Sequence, residues 1–450
     1  MLWTCLPVAV LLAFLASAFA AEPPGPATRP ADWPTLDRDV VVMVLGSSVS
    51  VRRYGVHGLP AWTGGANRTP PQCSNGQNLF FRVFEMLNDH ENMRWRRLPD
   101  DDWRRAGEWK VERNLPYRSA SPRICWAATD PTAYAEITLP AGFAKCELIY
   151  CSDPAGDGIK VTIDGEAPAA NAVIDTFQDT TVPPTAKRGE AVETLDSHGK
   201  PRTIRPPKRG IRNIVELRAR YALDPTSAHT LRVRRSTDEG GKRILLWGLV
   251  YWRGHCVQVV QRAKGGINCG DLPRYAAIQE VTALRPDYVL MEAINIRSAP
   301  SGVTSSLDPG YAWCARQVKA GKFKMLVYST PQASSRQFRT WFADPKRKPP
   351  YGGTAKTVAD ENADACHAAV AALCEKFDFP LVDVGTTVDA YMAKHPTIRF
   401  VPHILADWYH PNQWGAACFG RTLYDGIRKH WPELPIRQIQ MPDPPAPTGR

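Results

Sequence analysis

Two side chains that could act together in catalysis stand three residues apart near the end of this chain, in the stretch LADWYHP at 405–411. Asp407 and His410 are the carboxylate and the imidazole that activate a serine nucleophile, because the acid orients one ring nitrogen while the other takes the serine proton. A suitable serine, Ser48, occurs far upstream in VLGSSVS at 44–50, directly after an apolar run. Together these residues predict nucleophilic catalysis by a serine.

Each of these side chains also has a plainer interpretation. Ser48 could be a turn or capping residue at the end of a strand, and Ser47 and Ser50 are alternative nucleophiles. Asp407 and His410 could simply cap the helix that follows them, since acidic and polar side chains favour helix starts. The catalytic interpretation therefore requires a fold that brings the serine and the Asp–His pair together.

Outside residues 92–253 the chain alternates apolar strands with amphipathic helices. This alternation predicts a parallel sheet with helices on both faces, a flavodoxin-like doubly wound α/β fold. Such sheets bind ligands at the carboxyl ends of their strands, which is where Ser48 stands. The predicted strands are DVVVMVLG (39–46), CVQVV, DYVLME, FKMLVYS and FPLVDV, and the predicted helices are 77–89, 272–284, 311–320, 358–377 and one after Pro411.

Residues 92–253 show a period of two instead, most clearly in GIKVTIDGE at 158–166, where an Asp164-Gly165 turn ends the alternation. This pattern predicts an inserted all-β sandwich, jelly-roll-like in arrangement. Residues 178–210, rich in Pro, Lys, Arg and Gly, are predicted to form a long exposed loop. The remaining predicted strands of the insert are AYAEITLP, KCELIYC, RNIVELRARY, HTLRVRR and RILLWGLVYW.

The start of the chain resembles a secretion signal. Residues 1–20 are apolar and end in Ala18-Phe19-Ala20, the small-residue pattern that signal peptidases recognise. This predicts export to the periplasm or the extracellular space, with a retained membrane anchor as the alternative. The predicted organisation is a signal peptide (1–20), a Pro-rich linker (21–36), a split hydrolase domain (37–91 and 254–432), the inserted sandwich (92–253) and a Pro-rich tail (433–450).

The composition restricts the classes of partner. The 450-residue chain carries a net charge of +11, which would suit an acidic polymer or would simply give a basic surface. No Lys/Arg run is interleaved with stacking aromatics, so no nucleic-acid partner is predicted. Cleavage after Ala20 would remove Cys5 and leave ten cysteines, an even number compatible with disulfides, although their irregular spacing shows no framework.

No cofactor or metal is predicted. The pairs Cys366-His367 and His255-Cys256 lack the C-x-x-C or H-x-x-x-H spacing of strong zinc sites. GGTAKT at 352–357 lacks the full phosphate-loop pattern.

Four short blocks, taken in order, resemble the signatures of the SGNH or GDSL esterase and lipase superfamily. They are Gly46-Ser47-Ser48, KGGINCGDL (264–272), EAIN (292–295) and DWYHPNQWG (407–415), and the last of them is the most specific. The chain departs from the family pattern at three positions: Ser47 replaces the usual Asp, Ala293 the usual Gly, and Ile296 the Asp that often follows the asparagine.

The resemblance implies a complete set of site residues. Ser48 would be the nucleophile, His410 the general base and then acid, and Asp407 the residue that orients the imidazole. The oxyanion hole would consist of the backbone N–H groups of Ser48 and Gly266 and the side-chain amide of Asn295. Gly270 is an alternative to Gly266 as the backbone donor.

The predicted function is that of an exported serine esterase that removes O-acetyl or other short acyl groups from a carbohydrate. An O-acetyltransferase with the same triad and a catalytically inactive glycan-binding protein are the alternatives. The resemblance to secreted acetyl esterases with an accessory sandwich favours an acylated carbohydrate as the substrate. Tryptophans in or beside the insert would either stack on sugar rings or pack in its core: Trp103, Trp109, Trp126, Trp247 and Trp252.

Overall fold

The structure is a computed structural model. It describes residues 34–46, 83, 86–87, 92–98, 102–113, 124–152, 156–176, 192–195, 201–204, 215–238, 240, 242–263, 284–293, 300–329, 335, 361–398, 404 and 413–438. Thr35–Arg450 forms one compact unit.

Strands and helices are numbered along the chain. The strands are β1 (Val40–Gly46), β2 (Met93–Arg97), β3 (Trp103–Ala106), β4 (Trp109–Arg113), β5 (Ile124–Ala128), β6 (Tyr134–Leu139), β7 (Lys145–Ser152), β8 (Gly158–Ile163), β9 (Val173–Asp175), β10 (Val192–Leu195), β11 (Pro201–Ile204), β12 (Val215–Ala222), β13 (His229–Arg235), β14 (Ile244–Trp252), β15 (Val257–Ala263), β16 (Tyr288–Glu292), β17 (Lys324–Tyr328) and β18 (Leu381–Val382). The helices are α1 (Pro300–Lys319), α2 (Glu361–Lys376), α3 (Val384–Lys394) and α4 (Gln413–His430). None of the described helices is long and apolar enough to cross a membrane.

Five strands form a parallel sheet in the order β15-β1-β16-β17-β18. Counted along the chain within this sheet, the order is 2-1-3-4-5, which is the flavodoxin-like arrangement predicted from the sequence. The strands are continuous apolar runs because both faces are covered. Val42 and Val44 belong to one core, whereas Met43 and Leu45 belong to another.

The helices cover the two faces in pairs. Tyr311 of α1 and Val370 of α2 lie in the core that contains Met43. Val388 of α3 and Phe419 of α4 lie in the core on the opposite face. The sheet is therefore doubly wound, as the alternation of strands and helices predicts.

The described residues between β1 and β15 form two larger antiparallel sheets, one of six strands and one of five, besides the two-stranded pair β10-β11. One has the order β12-β7-β14-β5-β4, with β2 also paired to β14, and the other has the order β3-β6-β13-β8-β9. Alternate side chains of both sheets share one apolar core, for example Val161 and Val233 from the second sheet and Leu148 and Leu246 from the first. The period-two pattern therefore corresponds to a two-layered antiparallel structure.

Several predicted features are found where expected. HTLRVRR coincides with β13, and residues 164 and 165 form the turn after β8 with positive φ at both positions, 54° and 87°. Val83, Met86 and Leu87 are helical and buried, as the predicted helix at 77–89 requires.

Other elements differ from the predictions. Helix α1 starts at Pro300 and not at 311, because it continues through Pro309-Gly310, a pair of residues that usually marks a turn. Helix α3 is not predicted from the sequence, and neither are the short strands β2 to β5 and β9. Within 178–210, β10 pairs with β11 as a hairpin where only a loop is expected.

The outer face of the six-stranded sheet, which contains β14, contributes to the same apolar core as the parallel sheet. Trp95, Trp247 and Trp252 are buried in the same core as Val42 and Val257. The two tryptophans Trp95 and Trp247 meet edge to face with ring centroids 6.1 Å apart. The insert and the parallel sheet therefore share an apolar interface.

The tryptophans considered for sugar stacking pack in the interior. Trp247 and Trp252 belong to the shared core, and Trp103 is buried in the sandwich core. Trp109 and Trp126 are partly buried against that same core. Packing is therefore the interpretation that the structure supports for these five residues.

The domain boundaries stay predictions. The signal peptide and most of the linker lie outside the described residues, as does the chain after 438. The described start of the predicted tail packs on the body of the protein: Leu434 is buried, and the N–H of Arg437 donates to the carbonyl of Met86 at 2.8 Å.

Candidate functional site

The carboxyl ends of three parallel strands meet at the edge of the sheet where the sequence predicts chemistry. Gly46, the last residue of β1, lies opposite Ala263, the last residue of β15. On the other side of β1, Leu45 lies opposite Met291 of β16. Strand β1 is therefore central, and the chain leaves all three strands side by side.

The predicted residues follow these strand ends closely. Ser48 comes two residues after the end of β1, Gly266 three residues after the end of β15, and Asn295 three residues after the end of β16. All three lie outside the described residues, as do the alternatives Ser47, Ser50 and Gly270. The structure thus describes the strands that carry these residues and not their side chains.

The Asp407–His410 pair also lies outside the described residues, but both ends of its segment are described. Ile404 is buried in the shared core, and α4 begins at Gln413. A Cβ atom on Gly415 would come within 2.0 Å of the carbonyl oxygen of Ile404. Ile404 and Gly415, the described residues on either side of the pair, therefore approach each other closely.

Glycine at 415 permits this contact because any side chain would overlap a backbone atom. A second glycine, Gly426, allows α4 to approach β18, where a Cβ would come within 2.3 Å of Cγ2 of Val382. Helix α4 also supplies Phe419 and Leu423 to the core. The helix that follows the predicted Asp–His pair is thus packed closely against the sheet.

A polar network lies at the carboxyl ends of β17 and β18. Asp383 is the N-cap of α3 and accepts hydrogen bonds from the N–H of Thr386 at 3.2 Å and from its Oγ1 at 2.6 Å. Ser329, which is fully buried, donates to Asp383 at 3.2 Å and accepts from the N–H of Val384 at 3.2 Å. His367 Nε2 lies 3.7 Å from Asp383.

This network contains a serine, an acid and a histidine, yet its geometry does not match a catalytic triad. Ser329 bonds directly to the carboxylate, whereas a nucleophile needs the imidazole as its partner. Its complete burial also prevents attack on a substrate. Ser329 and Asp383 therefore connect β17 to the start of α3 and cap that helix. Asp383 lies within the predicted strand FPLVDV, so this role as a helix cap was not predicted from the sequence.

Two further buried residues, Glu292 and Ala293, lie at the carboxyl edge of the sheet, and the sequence patterns do not predict their burial. Glu292, the last residue of β16, is completely buried. Ala293 is buried too, and its N–H donates to the carbonyl of Tyr328 at 2.8 Å, which extends the pairing of β16 and β17. Alanine thus fits this backbone position, where the SGNH signature usually has glycine.

A second polar network lies at the opposite, amino-terminal end of the parallel sheet. Asp39 directly precedes β1 and accepts from Lys145 at 3.0 Å, Arg220 at 3.1 Å and the indole of Trp252 at 3.0 Å. These partners all belong to the six-stranded sheet. The network therefore connects the insert to the parallel sheet, far from the carboxyl edge.

The Cys–His pairs do not form metal sites within the described residues. His255 Nδ1 lies 3.3 Å from Lys145 Nζ and 3.8 Å from Asp39. Burial, followed by the charges of Asp39 and Glu147, raises the pKa of Cys256 well above its ordinary value. No group of three or more His, Cys, Asp or Glu side chains in the described part of the chain is placed to hold a metal ion.

Seven cysteines with described side chains are buried and form no disulfide bonds. Cys125 and Cys151 lie with their sulfur atoms 3.5 Å apart in a thiol contact. A buried thiol is a poor nucleophile, because burial disfavours the thiolate. These buried cysteines are Cys125, Cys146, Cys151, Cys256, Cys314, Cys374 and Cys418.

Several solved structures that resemble this one are esterases. A peptidoglycan O-acetylesterase matches 87% of this chain and 91% of its own, with 10% identity and a TM-score of 0.42. A family two carbohydrate esterase from Cellvibrio japonicus matches 75% of this chain and 97% of its own, with 9% identity and a TM-score of 0.24. An acetyl xylan esterase matches 38% of this chain and 81% of its own, with 16% identity and a TM-score of 0.29.

No protein-family model matches the chain, and no curated protein matches it by sequence.

Proposed function

We propose that this protein is an exported serine esterase of the SGNH type that removes O-acetyl groups from a carbohydrate. One observation supports the proposal: the sheet order β15-β1-β16 brings together the strand ends Gly46, Ala263 and Glu292 at one edge. In the sequence, Ser48, Gly266 and Asn295 follow these three strand ends within two or three residues.

The fourth block supports the same arrangement. Ile404 and Gly415, the described residues on either side of Asp407 and His410, approach each other closely, and α4 packs on the face of the sheet that also contains Val42 and Val44. Fixed flanking residues suit a general base, which must be kept within hydrogen-bond reach of its nucleophile.

The proposed mechanism has two steps. His410, oriented by Asp407, takes the proton of Ser48 as its oxygen attacks the acetyl carbonyl, and the sugar hydroxyl leaves with that proton. Water then attacks the acyl-enzyme with His410 again as the base, which releases acetate and restores the serine. The N–H groups of Ser48 and Gly266 and the amide of Asn295 stabilise the oxyanion, and the loss of one such donor typically lowers kcat by about 10²–10³-fold.

The test compares two neighbouring serines. Ser48→Ala is expected to lower kcat/KM for 4-nitrophenyl acetate by on the order of 10⁴–10⁶-fold, while the unfolding midpoint stays unchanged. Ser47→Ala is the matched control and should retain activity. Loss of activity in Ser47→Ala alone would move the nucleophile by one residue. If the wild-type protein neither hydrolyses the ester nor reacts with a fluorophosphonate probe, the esterase proposal is wrong.

A second measurement addresses the substrate and the acceptor. The proposal predicts that acetate is released from an acetylated polysaccharide into water. Transfer of the acetyl group to an added sugar with no release of acetate would instead indicate an acetyltransferase. If the protein hydrolyses simple esters but releases no acetate from acetylated polysaccharide, the carbohydrate assignment is wrong.

A further inference from the structure

The outer face of the antiparallel sheet β3-β6-β13-β8-β9 carries an unusual row of side chains. In register across four neighbouring strands lie Tyr134 on β6, Arg234 on β13, Lys160 on β8 and Val173 on β9. Arg234 is exposed, Tyr134 and Lys160 are half-buried, and Val173 is 59% exposed. We call these four residues the basic row.

The two cations of the basic row lie directly opposite each other. Within the described residues, neither Arg234 nor Lys160 has an ion-pair or hydrogen-bond partner for its charged group. Like charges on directly opposite positions of neighbouring strands destabilise a sheet. The arrangement is therefore unfavourable for the sheet by itself.

In the neighbouring row of the same sheet, the charges of adjacent side chains are of opposite sign. There Glu136 lies between Arg104 and Arg232 in register, so the charges alternate. Arg232 also forms an ion pair with Glu136 and stacks over the ring of Tyr134 at 4.6 Å from its centroid. This row is internally compensated, whereas the basic row lacks a carboxylate between its cations.

We propose that the basic row binds an anionic glycan, a polysaccharide whose sugars carry carboxylates. Arg234 and Lys160 would bind the carboxylates, since guanidinium groups match their two oxygens. The methyl groups of Val173 and the part of the Tyr134 ring that Arg232 leaves uncovered would contact the apolar carbons of the sugar rings. Four strands span about 14 Å, enough for contact with more than one sugar.

The mixture of groups favours a glycan over other polyanions. Single-stranded nucleic acids are bound by several stacking aromatics interleaved with cations, and the basic row has one aromatic ring. The overall charge of +11 would further assist the approach of an acidic polymer. The row lies on a different sheet from the proposed esterase site, so this inference does not depend on that proposal.

The test measures binding of the full-length protein to polygalacturonate, with dextran as the neutral comparison. The double variant Arg234→Ala/Lys160→Ala should bind polygalacturonate about tenfold more weakly, as expected for the loss of two exposed ionic contacts. The control variant Lys322→Ala/Lys394→Ala removes the same charge from exposed positions beside the parallel sheet and should bind as the wild type does.

Two further variants and two further measurements on the double variant separate a binding role from a structural one. Arg234→Lys keeps the charge but loses the match to two oxygens, so it should bind more tightly than Arg234→Ala and more weakly than the wild type. Tyr134→Ala should also weaken binding. The double variant should unfold at the wild-type temperature or above it, because a repulsive pair has been removed. Its hydrolysis of 4-nitrophenyl acetate should stay unchanged, so failure of this inference is distinguishable from failure of the esterase proposal.

Equal affinity of the double variant and the wild type for polygalacturonate would overturn the inference. It would also be overturned by equal weakening in the control variant, which would indicate only non-specific attraction. Tighter binding to vesicles containing phosphatidylglycerol, lost in the double variant, would assign the row to a membrane surface instead.

Discussion

Because Gly415 closely approaches Ile404, we expect Gly415→Ala to lower both stability and activity. In Gly415→Ala the new Cβ would lie 2.0 Å from the carbonyl oxygen of Ile404 and 2.9 Å from its carbonyl carbon. Real contacts of this kind are not shorter than 3.0 Å. Because the obstacle is backbone, the start of α4 must move by about 1 Å, the difference between these distances.

Three effects of known size decide the outcome of Gly415→Ala. An alanine inside a helix is normally more stable than a glycine by about 1 kcal/mol, so an open position would be stabilised. Overpacking typically costs about 1–3 kcal/mol, so the variant should be destabilised instead. A misplacement of about 1 Å at a catalytic group can lower activity by about 10²-fold. We therefore expect a lower unfolding temperature and a kcat for 4-nitrophenyl acetate about 10²-fold below that of the wild type.

Gly426→Ala provides the matched control on the same helix. Its Cβ would meet Cγ2 of Val382 at 2.3 Å, a side-chain atom that can move by rotation. This variant should lose stability to a similar or smaller extent but keep its activity per folded molecule. An increase in the unfolding temperature of Gly415→Ala, or full activity in its folded form, would refute the proposed contact and its effect on the loop.

The remaining predictions concern the stability of the sandwich. Arg235 is buried and forms a 2.7 Å ion pair with Asp157, so Arg235→Met should cost about 3–5 kcal/mol in urea unfolding, because it leaves a buried carboxylate without its cation. Arg232→Met, on the same strand but at an exposed ion pair, should cost no more than about 1 kcal/mol, and equal costs would contradict the importance of burial. His229 should make stability depend on pH, since its hydrogen bond to Asp164 at 2.7 Å raises its pKa despite partial desolvation. A raised folded-state pKa stabilises the protein fully below the unfolded value of about 6.5, and this contribution is lost as pH rises through the folded value. The decrease in unfolding temperature from pH 6 to pH 9 should therefore be smaller in His229→Gln, and identical decreases would exclude this role.

Much of the architecture was predictable from local patterns. Continuous apolar runs identified the parallel strands, because a strand covered on both faces has no polar side to alternate with. Strict alternation located β13 and the turn at Asp164-Gly165, where positive φ angles suit these two residue types. The strand positions in turn predicted that Ser48 follows a strand end.

Other features depended on contacts between segments far apart in the chain. The helix through Pro309-Gly310 is stabilised by the burial of Leu307 and Tyr311, which outweighs the poor helix preference of Pro and Gly. Asp383 follows β18 directly, but its role as the cap of α3 was not evident without the structure. Trp247 and Trp252 pack in the core shared with the parallel sheet, because the outer face of the insert is itself covered, which local patterns do not show.

The sequence alone determined which residue types are available for chemistry and in what order they occur: a serine after the first strand, a glycine block, an asparagine, and an acid three residues before a histidine. Only the tertiary structure decided that Ile404 approaches Gly415, and that tryptophans of the insert share a core with the parallel sheet. The physical reason is that strand order and helix packing arise from the burial of apolar surface between segments that are distant in sequence. Local patterns report the conformation of each segment but not its neighbours.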